Sequence, residues 1–134
     1  MAFENDVMDI SLLTTTNLST YQYHFVKLSA DNTVVICAHA TNDNPIGILQ
    51  NKPDGSTTEA VARVRIMGVS RAVVSADGGA AVAFGEKIGT DATGHALTKD
   101  TDKYKYLGVA LDSASSGELA SVLLMGTLKT ISKA

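Results

Sequence analysis

The chain has 134 residues, 45% of them hydrophobic and 19% charged, which fits one domain with a packed core and excludes a disordered chain. Aromatic residues make up only 5%, with no Trp and 11 Gly against two Pro, so the core is expected to be Val, Ile, Leu and Ala joined by tight turns. The net charge is −3, and the whole imbalance sits in residues 1–20, which hold Glu4, Asp6 and Asp9 and no basic residue; the neutral remainder offers no concentrated positive surface for nucleic acid.

In chain order, residues 1–20 read as an extended N-terminal arm. The segment is acidic, Thr-rich after Leu13, and follows neither a 3.6 nor a 2.0 period. Phe3, Val7, Met8, Ile10, Leu12 and Leu13 are too many large apolar side chains for a solvated tail. The arm is therefore expected to order only against a surface, and that surface is expected on a neighbouring chain. Its start lacks the basic residues and apolar run of a signal peptide, and no stretch nears the roughly 18 apolar residues of a membrane span. Synthesis on the reducing side of a membrane is expected, with no membrane partner.

Residues 21–126 read as a β-rich domain. Tyr21, Tyr23 and Phe25 alternate with Gln22, His24 and Val26 and predict a strand. Thr33 to Ala38 is β-branched and apolar and predicts a strand covered on both sides. The single cysteine, Cys37, reads there as a small buried hydrophobe; alone, it excludes an intramolecular disulfide and a multi-Cys zinc site. Turns at 42–45 and 52–55 bracket a short strand over Ile46–Gln50, Pro53 fixing φ and Gly55 permitting a positive one. Over 58–67, Ala60, Ala62, Val64 and Ile66 alternate with Glu59, Arg63 and Arg65, and Val69 to Ser75 continue that pattern past Gly68. Gly78-Gly79 opens a small-residue segment reaching Gly89, with room for one helical turn at most. Asp91 to Gly94 is a turn before a strand around Ala96-Leu97, and 99–105 is a polar loop. Leu107–Leu111 and Leu119–Met125 are further apolar strands, and 127–134 is a short basic tail. About eight or nine such segments predict a mainly β fold, a small β-barrel or sandwich with at most one short helix.

Catalytic motifs fail on inspection. Gly79 to Lys87 has Glu86 after Gly85 where a phosphate loop needs Lys-Ser/Thr. His24, His39 and His95 lack metal-ligand spacing, no serine sits in a nucleophile elbow, and Asp100 and Asp102 lie in the polar loop. No catalytic residue, cofactor or metal is expected. A binding surface remains. Arg63, Arg65 and Arg71 are all the arginines of the chain, and the planar guanidinium suits fixed pairing with carboxylates. The strip is either a solvated strand face partly balanced by Glu59 or the receiver of carboxylates from the arm or a partner. Neither arm nor strip has a balancing partner in its own segment, so at least one is expected to meet its opposite charge across a subunit boundary. The candidate contact residues are Phe3, Glu4, Asp6, Val7, Met8, Asp9, Ile10, Leu12, Arg63, Arg65 and Arg71.

Five stretches carry a resemblance. Pro45-Ile46-Gly47-Ile48-Leu49-Gln50-Asn51-Lys52-Pro53 and Ala62-Arg63-Val64-Arg65-Ile66-Met67-Gly68-Val69-Ser70 are followed by Gly79 to Ala96, then by Leu107-Gly108-Val109-Ala110-Leu111 and Gly117 to Leu124. Over roughly residues 21–125 the chain resembles the small capsid decoration proteins of tailed bacteriophages. The resemblance implies a β-tulip-like or β-barrel domain and no catalytic residues. It also implies homotrimers on the outer surface of an expanded head, cementing the major capsid protein, after synthesis in the host cytoplasm. Two alternatives stay open: a tail or baseplate trimer, or a displayed carbohydrate- or host-binding module, for which Tyr104 and Tyr106 are the aromatic candidates.

Overall fold

Short runs of β-branched and apolar residues, cut by Gly, Pro, Asn and Asp, leave the backbone little choice but strands and turns. The computed structural model describes residues 2–76, 81–101 and 103–132, so Gly78, Gly79, Asp102 and the last two residues of the tail lie outside the described residues. Among the described residues nine strands follow in order: β1 (Asn5–Thr14), β2 (Phe25–Ala30), β3 (Thr33–Ile36), β4 (Gly47–Leu49), β5 (Ala60–Val73), β6 (Lys87–Thr90), β7 (Ala96–Thr98), β8 (Lys105–Ala110) and β9 (Leu119–Thr130). The fold is mainly β, with no helix among the described residues.

The strands join into one sheet ordered β1-β3-β2-β4-β5-β9-β8-β6-β7, and a further β1–β5 pairing closes the first five into a ring. The second group returns to the end of β5 through a parallel bridge between Val74 and Ala96. β5 therefore serves both halves. Its even positions face inward and supply both cores: Ala62 and Val64 pack with Leu18, Val26, Val34 and Leu49, whereas Ala72 and Val74 pack with Phe25, Ile88, Leu107, Val122 and Leu124. At the junction Gly68, opposite Asp6, takes a φ of 113°, a left-handed conformation open to glycine.

The structure corrects several expectations. The N-terminal segment needs no neighbouring chain to become ordered: β1 pairs antiparallel with β5 of its own chain from Asn5↔Val69 to Thr14↔Ala60. Ile10 and Leu12 pack against the first core, which explains why the segment carries so many large apolar residues. Tyr21 to His24 is not strand, because Tyr23 sits at a φ of 67° and the His24 N–H turns back to the Tyr21 carbonyl; the strand starts at Phe25. The described part of 81–89 holds no helical turn; Val82 bridges Ala114 instead. β9 continues past Met125 to Thr130, into what reads as tail. Lys99, assigned to a polar loop, is buried and donates to the Ala40 carbonyl at 2.8 Å. Cys37 is buried, and burial, with Asp43 adding to it, pushes its thiol up to about 12.

Candidate partner-binding surface

β1 and β5 bring the acidic segment and two arginines together within one chain. Asp9 lies opposite Arg65, and its carboxylate accepts from Arg65 Nε at 2.8 Å and Nη2 at 3.2 Å. Arg65 Nη1 donates to the Val69 carbonyl at 2.9 Å. Asp9 raises the Arg65 pKa further, against the effect of burial. Arg63 Nε approaches the same carboxylate at 3.4 Å, from a side chain 56% exposed where that of Arg65 is 6% exposed. Asp9, Arg63 and Arg65 thus meet inside the chain, not across a subunit boundary. The alternation of β5 places Arg63 and Arg65 on one face, and a partner strand delivers the carboxylate.

Arg71 stands apart from that cluster. Its guanidinium carbon lies 5.9 Å from the centre of the Tyr23 ring, and its Nε is buried without a hydrogen-bond partner. Burial, with the Glu4 carboxylate beside it, pushes the Tyr23 hydroxyl up, and Arg71 acts in the opposite sense. Asp6 lies at the Gly68 junction, and Val7, skipped by the register shift between Asp6 and Met8, is 69% exposed. Met8 is also exposed.

The outward face of the second half presents several exposed apolar side chains. Val69, Arg71 and Val73 lie opposite Leu123, Ser121 and Leu119, and Val109 lies on the far side of Leu123. Ser70 and Ala72, one position out of phase, are fully buried, so these residues point away from the core. Leu111, Leu119 and Leu123 are exposed, as are Met67 and Phe3. The chain start crosses this face: the Phe3 N–H donates to Ser121 Oγ at 2.6 Å, and Ser121 Oγ donates to Asp112 at 2.9 Å. The Phe3 side chain stays 61% exposed beside a cleft of about 570 Å³ walled by Glu4, Asn5, Val69, Leu111 and Asp112. Sequence reasoning missed this face. Alternation in Leu119–Met125 was a usable signal, since Leu119, Leu123 and Met125 share one parity.

Tyr104 and Tyr106 each carry an ammonium beside the ring. Lys99 Nζ lies 5.3 Å from the Tyr104 ring centre, and Lys87 Nζ lies 5.3 Å from that of Tyr106. Among the described residues, no group of three or more His, Cys, Asp or Glu is placed to hold a metal ion.

No protein-family model and no curated protein matches the chain. Among solved structures it is similar to the N base of the head fiber gp8.5 of bacteriophage phi29, with a TM-score of 0.65 and 15% identity. The alignment covers 92% of this chain and 100% of that one. Likeness at that identity establishes a shared fold.

Proposed function

We propose that the chain is a structural protein of a phage head, bound to the outside of the expanded shell as a homotrimer that holds neighbouring major capsid subunits together. The observation that carries the reading is the fold, shared over nearly the whole chain with the base of a phage head fiber. The apolar face of β5, β8 and β9 supports the trimer: contiguous apolar surface of this kind is uncommon on a monomer and typical of subunit contacts. The exposed start of the chain, Phe3 to Met8, is assigned to the shell, while Asp9 and Arg65 act as an internal brace. Internal pressure tends to separate shell subunits, and a trimer opposes this by several weak contacts made at once, whose joint avidity far exceeds any single one.

The test is co-sedimentation with empty expanded heads of the phage that encodes the protein. Saturable binding is expected, and a Leu111→Asp, Leu123→Asp double variant is expected to be monomeric and to bind at least about tenfold more weakly, the equivalent of about 1.4 kcal/mol. Protein that stays in the supernatant at micromolar concentration, or a folded double variant that binds as tightly as the natural chain, contradicts the proposal.

A further inference from the structure

Nothing in their spacing joins His24 to His95, yet the fold sets their rings 4.6 Å apart, centre to centre, at an angle of 50°. His24 immediately precedes β2 and is 7% exposed; His95 closes the turn between β6 and β7. That turn is docked on the first half of the molecule by backbone: the Phe25 N–H donates to the Gly94 carbonyl at 2.7 Å. The approach depends on glycine, since a Cβ at Gly94 would lie 2.8 Å from Ile36 Cγ2 and 3.3 Å from the His24 Cβ. β7 ends the sheet order and β2 belongs to the ring, so this contact ties the two halves together beside the Val74–Ala96 bridge at the end of β5.

Among the described residues, the titratable groups facing the pair are few. Tyr21 meets the His24 ring edge-on at 5.3 Å, and Asp91 lies 3.4 Å from His95 Nδ1. Asp91 is buried and accepts from the Ser75 and Thr93 hydroxyls and from the Thr93 and His95 N–H groups. Burial alone would raise its pKa, but these bonds hold it below the usual carboxylate range, so it stays charged in mild acid. Lys99, beyond β7, feels the same carboxylate, and Cys37 nearby is a neutral thiol. His24 Nδ1 is engaged with the Gln22 carbonyl at 3.1 Å. Asp91 lies on the His95 side of the pair, so a charge on the buried His24 ring stands 4.6 Å from the His95 ring with no ion pair of its own among the described residues.

We propose that the His24–His95 pair is an acid-sensitive latch that holds the β6–β7 turn on β2 while the His24 ring is neutral and releases it when that ring takes up a proton. Burial holds His24 below the usual imidazole range, with the His95 charge acting in the same direction. A histidine whose folded pKa is lowered binds fewer protons folded than unfolded. The latch is therefore at full strength above the unfolded value of about 6.5 and weakens as pH falls toward the folded one. The strain falls on a local contact, so the turn opens before the sheet does.

Amide hydrogen exchange at Phe25, measured between about pH 7.5 and about pH 5 and corrected for intrinsic rates, tests the proposal. Protection of Phe25 is expected to fall at least about tenfold while amides of the β5–β9 pairing keep theirs, a change of about 1.4 kcal/mol confined to the latch. In His24→Gln, which cannot charge, the decline is expected to disappear; should that variant not fold, His24→Asn carries the same expectation. Phe25 protection that is flat with pH, falls in step with every sheet amide, or declines equally in the variants overturns the latch.

Discussion

Asp9 serves two arginines of different standing. Arg65 is sealed from water and spends three donor contacts, two on Asp9 and one on the Val69 carbonyl, whereas Arg63 reaches the same carboxylate from solvent. Removing the Asp9 charge leaves a buried guanidinium uncompensated, and breaking such a pair costs far more than losing an exposed one. Asp9→Asn is therefore expected to lower unfolding stability by about 2–4 kcal/mol, and Arg63→Ala by less than about 1 kcal/mol. Urea midpoints at unchanged slope are the measurement. Equal and small losses would show that the brace contributes nothing.

β1 sets the limit of what the sequence makes legible at the scale of an element. β5 is readable because its alternation runs unbroken from Ala60 to Val73 with the charges on one parity. β1 is not, because register shifts on both sides of Met8 interrupt its alternation, with Val7 unpaired between Asp6 and Met8. The large apolar residues of 1–20 correctly indicate a surface to lie on, but their spacing is silent on which chain owns it. The opposite charges of arm and arginine strip are legible in the same way, and the intrachain register that unites Asp9 with Arg65 is not. The His24–His95 contact has no local signal at all, since a turn and a strand start meet there only after both halves have folded. The ownership of β1 separates two truncations. Deleting residues 2–4 leaves the β1–β5 pairing intact and is expected to change the melting temperature by no more than about 2 °C, below the usual effect of 1 kcal/mol. Deleting 2–14 removes the strand covering Ala62 and Val64 and is expected to yield insoluble or unfolded protein. Circular dichroism melts of both decide it; a stable, folded 2–14 deletion would mean that β1 is an appendage.

For the whole molecule, one long strand carries two cores, and its outward positions beyond Gly68 lie on a largely apolar face. That combination agrees with the proposed role in a larger particle. The inward positions of β5 are consumed by the two cores, and the outward positions beyond Gly68 face Leu119, Leu123 and Val109 across the sheet with only Arg71 and Ser121 to interrupt them. In the proposed trimer, burying such a face against identical copies would offset the entropy of assembly, and the trimer would multiply each weak contact to the shell. Cryo-electron microscopy of the intact phage head tests this account most directly. It predicts copies on the outer shell surface in the hundreds, grouped in threes, with the β5–β8–β9 faces turned toward one another and the chain starts toward the major capsid protein. Heads that carry no copies, or only a handful at a single vertex, would contradict it.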